Sequence, residues 1–164
     1  MPSQTNLVDH LPQADAGAPA KTTVIVVGYD GSEASRRAVE IAAERAGPRG
    51  TVVPVHVTAA ASSWLGTPYY QRVVEEIRRE GETLLAQTEE LDTGQATIEP
   101  DLIEGDPAEV LLRVADVRDA REIVVGSRGL GRFRSLLGSV SHALIERSKR
   151  PVVIVPRGAL DEGQ

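Results

Sequence analysis

The stretch that decides the fold reads VIVVGYDGS, at residues 24–32. Its first four residues form a continuous β-branched run, which is typical of a strand buried on both faces of a parallel sheet. A helical pattern follows, with Ala38, Ile41 and Ala42 on one face and Gly47 just past its end. The stretch therefore predicts the first strand–helix unit of an α/β protein.

Strand and helix patterns alternate along the rest of the chain. Further strands are predicted at residues 51–57, 97–103, 123–125 and 151–156. Helices are predicted to begin after a Thr67 cap, after an Asp106 cap and at about Ser139. The order βαβαβαβαβ calls for a single doubly wound, five-stranded parallel sheet with helices on both faces.

Two prolines fall inside predicted strands. Pro54 removes a ladder hydrogen bond from a strand that the order places inside the sheet, so we expect a bulge there. Pro100 favours an edge position for the strand at residues 97–103.

The 164 residues suit one domain, which is predicted at residues 22–157. Residues 1–21 lack the basic and apolar regions of a signal peptide and predict a disordered N-terminal tail, with a C-terminal tail at 158–164. No apolar run approaches the roughly 18 residues of a membrane span. The absence of cysteine excludes disulfides, thiolate metal sites and cysteine nucleophiles. We therefore expect a cytoplasmic protein that does not enter the membrane.

Charge is unevenly distributed. The net charge is −6, yet residues 121–150 hold seven Arg or Lys against two Glu. One basic segment in an acidic protein favours a local anion site over a nucleic-acid surface, which normally needs a broader basic face. The five aromatic residues also argue against a stacking platform for single-stranded nucleic acid. The alternative is that these arginines are solvated surface residues.

Glycines and hydroxyls follow two of the predicted buried strands. Residues 28–32 (GYDGS) follow the first strand, residues 126–131 (GSRGLG) end the fourth, and Gly138-Ser139 opens the next helix. Ligands of such sheets bind beyond the carboxyl ends of the strands. Glycine lets backbone amides approach an anion, and a helix start offers free amides and a positive dipole end. The pattern predicts a phosphate site, to which Arg128, Arg132 and Arg134 add charge. The alternative is that the glycines only turn the chain and Ser139 only caps its helix.

Other kinds of site find little support. The chain has neither a Walker A loop nor the dinucleotide fingerprint GxGxxG in its first strand–helix turn. No His, Asp and Glu cluster shows metal-ligand spacing, so neither a metal site nor catalytic residues are predicted. His56 lies in a strand and is predicted to be a hydrogen-bonded core residue, not a base.

Three segments resemble the universal stress protein family. Residues 126–129 (GSRG), Gly138-Ser139 and residues 149–155 (KRPVVIV) look like that family's C-terminal signature. Residues 24–32 resemble its first strand and turn, and His56-Val57 resembles the end of its second strand. The resemblance covers residues 22–157.

The resemblance implies sheet order 3-2-1-4-5 and a homodimer, which we expect to form through the last strand, Val152–Val155. In the ATP-binding branch, the residues matching Asp30 and the backbone of Val57 hold adenosine. Those matching Gly126, Arg128, Gly129, Gly138, Ser139 and Val140 hold ribose and phosphates. Gly28 and Val125, at the strand ends, complete the predicted nucleotide site. Mg²⁺ can accompany ATP through phosphates and water.

One departure keeps two functions open. The ATP-binding branch usually has nine residues between the second glycine of its GxxG segment and the Gly-Ser pair. Here residues 130–137, between Gly129 and Gly138, make eight. The first hypothesis is a regulatory ATP-binding module of the stress response, whose state an unknown protein partner reads. The alternative is a nucleotide-independent dimeric interaction protein. No base or set of metal carboxylates is evident, so we do not expect an enzyme, although slow ATP hydrolysis stays open.

Overall fold

The structure is a computed structural model that describes residues 22–59, 67–127 and 137–156, without the side chains of Thr67 and Pro68. Its strands are β1 (Val24–Gly28), β2 (Thr51–Thr58), β3 (Thr97–Ile98), β4 (Asp101–Glu104), β5 (Glu122–Gly126) and β6 (Val152–Val155). Its helices are α1 (Glu33–Ala46), α2 (Thr67–Ala86), α3 (Pro107–Val117) and α4 (Ser139–Arg147), with a 3₁₀ turn at Gln87–Glu90. The predicted tails at residues 1–21 and 158–164 lie outside the described residues.

All strand pairs are parallel, and the order is β3-β2-β1-β5-β6 with β4 also beside β2. The predicted α/β class is confirmed. The prediction of five strands is corrected to six within the described residues, because the expected third strand is divided into β3 and β4 around Pro100. Taken as one interrupted edge strand, β3 and β4 restore the expected order 3-2-1-4-5.

Pro54 needs no bulge, and that prediction was wrong. β1 and β2 pair in continuous register through it. Val55 faces β1, since its carbonyl accepts from the Tyr29 amide at 2.9 Å, whereas the Val52 carbonyl accepts from the Glu99 amide at 2.9 Å. Alternation therefore turns the nitrogen of Pro54 towards the interrupted edge strand. The missing N–H falls between β3 and β4, where the ladder is already broken.

The sheet is buried on both faces, as the β-branched runs predicted. Val26 packs into a cluster with α3 and α4, while Ile25 and Val27 pack into a second cluster with α1. All three are fully buried. Burying such a side chain contributes about 1.5–3 kcal/mol. The alternating contacts hold β1 between two helical layers and leave its carboxyl end free for a ligand.

An ion pair closes the amino end of the sheet. The Nε and Nη2 atoms of Arg45 donate to the two carboxylate oxygens of buried Glu122, at 2.6 and 2.7 Å. The hydrogen bonds from Arg45 lower the pKa of the Glu122 carboxyl, against the opposing effect of burial. A lowered folded-state pKa means that the pair stabilises the fold above the ordinary carboxyl pKa and less as the pH falls.

Among the described helices, none is long and apolar enough to cross a membrane.

Candidate functional site

A cleft opens where the carboxyl ends of β1, β2 and β5 meet the amino ends of α1, α3 and α4. Its volume is about 330 Å³, at the lower end of the range for ligand pockets. Eight of the ten residues predicted for the nucleotide site line it: Gly28, Asp30, Val57, Val125, Gly126, Gly138, Ser139 and Val140. The other two, Arg128 and Gly129, lie outside the described residues. Three segments far apart in sequence therefore meet in one cavity.

The turn after β1 holds Asp30 in a closed set of hydrogen bonds. The Ser32 amide donates to Oδ1 of Asp30 at 3.0 Å, and the Asp30 amide donates to Oγ of Ser35 at 3.3 Å. The Ser35 amide donates to Oγ of Ser32 at 3.2 Å, so the Ser32 side chain caps α1. Gly31 between them has φ +75°, which a side chain rarely adopts.

The end of β2 supplies backbone groups. Because the carbonyl of Val55 faces β1, alternation directs the amide and carbonyl of Val57 to the same side, beyond Gly28, the last residue of β1. His56 lies between Val55 and Val57 in β2, and its Nδ1 is 2.8 Å from the carbonyl oxygen of Tyr29. The predicted hydrogen bond of His56 is present, but the predicted core position is corrected, because His56 is only partly buried and lines the cleft.

The amino end of α4 forms the opposite wall. Gly138 is its cap, and the first backbone bond of the helix runs from the His142 amide to the Gly138 carbonyl at 3.0 Å. The amides of Ser139, Val140 and Ser141 precede that bond, so the helix gives them no acceptor. Together with the helix dipole they form a site for negative charge.

Hydrogen bonds join this helix start to the end of β5. The Gly138 amide donates to the Ser127 carbonyl at 2.8 Å. The Ser141 hydroxyl donates to the Gly126 carbonyl at 3.0 Å. The free amides therefore have a defined position over the strand ends.

Sequence reasoning missed part of the lining. Pro107 and Leu111 of α3 form an apolar wall, and the hydroxyl residues Ser32, Ser35 and Ser141 also border the cleft. A signal was present, because a helix that follows a parallel strand begins at the ligand-binding edge. Asp106 was correctly predicted as the cap of α3: its Oδ1 accepts from the Glu109 amide at 3.0 Å.

The basic segment divides into two parts. Arg147 pairs with Glu109 at 3.3 Å, Arg150 pairs with Asp116 at 3.4 Å, and neither lines the cleft. Arg121 precedes β5 at the amino end of the sheet, where its amide bonds to the Val24 carbonyl. These arginines thus act as surface and ion-pairing residues, which is the alternative stated above. The remaining arginines, Arg128, Arg132 and Arg134, lie outside the described residues.

Comparison with known proteins places the whole folded region in one family. Residues 21–156 match the universal stress protein family. The universal stress protein from the QAH/OAS sulfhydrylase 3′ region of Thermus aquaticus is 33% identical over 133 residues, which cover 80% of this chain and 96% of that protein.

Two solved structures share the fold. Universal stress protein UspA from Lactobacillus plantarum superposes with a TM-score of 0.71 at 19% identity, over 84% of this chain and 99% of that one. A universal stress protein solved in complex with cAMP is 28% identical, with a TM-score of 0.54 over 82% of this chain and 97% of that one. The chain therefore belongs to the universal stress protein family.

Proposed function

We propose that the cleft binds ATP and that the protein acts in the stress response as a dimeric regulatory module. The observation that carries the proposal is the convergence of the Asp30 turn, the end of β2 and the amino end of α4 on one cavity of about 330 Å³. A relative of 28% identity crystallised with cAMP supports an adenine nucleotide as the ligand.

The two ends of the cleft suit different parts of the nucleotide. Asp30 uses Oδ1 to accept from Ser32, which leaves Oδ2 to accept from a ribose hydroxyl or an amino group. Leu111 and Val125 provide apolar surface for the base. The free amides of α4 face the phosphates. The carboxylate of Asp30 would repel phosphate, so its position favours a single orientation of the ligand.

Backbone amides, and not basic side chains, face the phosphates in the described part of the cleft. In the described part of the chain, the cleft lining includes neither Lys nor Arg. The described residues also hold no group of three or more His, Asp and Glu suited to a metal ion. We therefore propose that Mg²⁺, where it accompanies ATP, is held by phosphates and water.

We propose a binding module and not an enzyme. Among the described residues, three with titratable side chains line the cleft: Tyr29, Asp30 and His56. Oδ1 of Asp30 accepts from the Ser32 amide, and Nδ1 of His56 is occupied by the Tyr29 carbonyl. In the described part of the chain neither is hydrogen-bonded to a nucleophile, as nucleophilic catalysis requires, and the Tyr29 hydroxyl has no hydrogen-bond partner.

A proline at the start of α4 tests the phosphate end of the site. Ser139→Pro removes one free amide without breaking an intrahelical bond, because proline is accepted at the first helical position. Gly138 already has ψ 161°, which suits a residue before proline. We expect ATP affinity to fall at least ten-fold, or about 1.4 kcal/mol, by calorimetry. Ser139→Ala removes only the hydroxyl and should cost less.

Arg121→Ala is the control, since Arg121 lies at the opposite end of the sheet and its loss should leave affinity unchanged. Equal losses for Ser139→Pro and Arg121→Ala would mean that diffuse charge attracts the nucleotide. A folded wild type that binds neither ATP nor cAMP at millimolar concentration would contradict the proposal and favour the nucleotide-independent dimer.

The edge strand β6 favours a dimer in either case. Among the strands of residues 22–59, 67–127 and 137–156, β6 is the last on its side of the sheet, and Val152, Val153 and Ile154 are only partly buried. An open, apolar edge of this kind invites pairing with a second copy. We propose that this edge joins two copies of the chain.

Lysine on that edge tests the dimer. We expect Val153→Lys to give the monomer mass by light scattering at micromolar concentration, whereas the wild type gives twice that mass. Tyr69→Lys is the control, because Tyr69 is 69% exposed on α2, which packs against β2 and β4 at the other edge of the sheet. A monomeric wild type would contradict the proposal.

A further inference from the structure

We propose that Ser35 is a positioning residue that sets the carboxylate of Asp30 for its nucleotide ligand. This inference rests on the proposed function and deepens it. It concerns a side chain on α1 that was not part of the predicted site, and it assigns the Ser35 hydroxyl a role in that site.

The Ser35 hydroxyl links both sides of the turn after β1. Its Oγ accepts from the Asp30 amide at 3.3 Å and donates to the Ser32 carbonyl at 3.0 Å. The residue is 2% exposed and lines the cleft; its bond to the Ser32 carbonyl is buried, and its bond to the Asp30 amide is partly buried. Buried polar groups without partners are costly, which makes this arrangement specific.

The arrangement differs from an ordinary helix cap. In a capping box, the residue three places after the cap bonds back to the amide of the cap residue. Here the amide of the cap residue, Ser32, donates to Asp30 instead, and Ser35 reaches two residues further back to the Asp30 amide. The side chain that usually completes a cap therefore holds the ligand-binding residue.

The consequence is a carboxylate fixed from two directions. Ser35 holds the main chain of Asp30, and the Ser32 amide holds Oδ1. Leu84 of α2 also packs against the turn. Its Cδ1 lies 2.4 Å from the position that a Cβ on Gly31 would occupy. Asp30 lines the cleft in this restrained state, so we expect little further loss of its conformational entropy when a ligand binds.

A double-mutant cycle tests this role. Calorimetry with ATP is carried out on the wild type, Ser35→Ala, Asp30→Ala and the double variant. We expect Ser35→Ala to weaken binding about three- to ten-fold and Asp30→Ala to weaken it more. In the Asp30→Ala background, Ser35→Ala should cause no further loss, since it acts through Asp30.

Two variants separate positioning from stability. Thr88→Val removes another buried hydroxyl that bonds to a backbone carbonyl (Leu85, 2.7 Å), away from the cleft, and should leave affinity unchanged. Ser35→Cys keeps the size but makes weaker hydrogen bonds, so we expect an intermediate loss, and it carries the test if Ser35→Ala does not fold.

Additive losses for Ser35→Ala and Asp30→Ala, in a wild type that binds ATP, would overturn the inference and leave the proposed function intact. A wild type that binds no adenine nucleotide would overturn the proposed function itself.

Discussion

Gly28→Val is expected to weaken nucleotide binding at least a hundred-fold, or about 2.8 kcal/mol, while the protein stays folded. Gly28 ends β1 at the floor of the cleft. A Cβ there would lie 3.0 Å from Cγ1 of Val125 and 3.1 Å from Cδ1 of Leu111, both in the cleft lining. The two further methyl groups of valine must then occupy the space of the ligand or displace the side chains of Val125 and Leu111.

The substitution can be graded. Gly28→Ala requires the neighbours to move by a few tenths of an ångström, and we expect about a ten-fold loss of affinity by calorimetry. Valine suits a strand, so the cost to stability should stay near the 1–3 kcal/mol of overpacking. Gly94→Ala is the control, because a Cβ on this exposed turn meets nothing within 4 Å. Wild-type affinity in Gly28→Val would show that the nucleotide does not occupy this floor.

Gly50→Ala is expected to cause the largest loss of stability, more than about 3 kcal/mol, measured by urea unfolding. Gly50 is buried where α1 turns into β2, and its carbonyl accepts from the Thr97 amide at 2.9 Å. A Cβ would lie 2.4 Å from the carbonyl oxygen of Ala46. That atom belongs to the backbone of α1, so relief requires the helix to move against the sheet.

Gly47→Ala in the same connection is the matched control. Gly47 has φ +73°, but a Cβ there meets nothing within 4 Å. We expect only the conformational cost of holding a side chain at φ +73° and ψ −178°, a region nearly restricted to glycine, which is about 1–3 kcal/mol. Equal losses for the two variants would contradict a steric role for Gly50 and would show that α1 shifts easily.

Both backbone groups and a few side chains line the described site. The first residues of α4 and Val57 line the cleft together with the carboxylate-bearing Asp30. The proposed binding of a nucleotide therefore rests on backbone amides and on one carboxylate.

The local sequence determined the secondary structure and the class of the fold. β-Branched runs gave buried strands at β1 and β5, and Asp106 began α3 as a cap. These features depend on residues within a few positions of one another, so their pattern can be read along the chain. The same holds for the ligand-binding edge, because the alternation of strands and helices alone brings the carboxyl ends together.

Only the tertiary structure decided which side chains complete the cleft. Leu111 reaches it because α3 packs over β1, and Ser35 holds Asp30 because the turn folds back on α1. The break at Pro100, which accommodates Pro54 without a bulge, depends on the register between β2 and the edge strands. Such contacts depend on packing and on strand register between residues far apart in sequence. The local sequence around one residue therefore does not predict its partner.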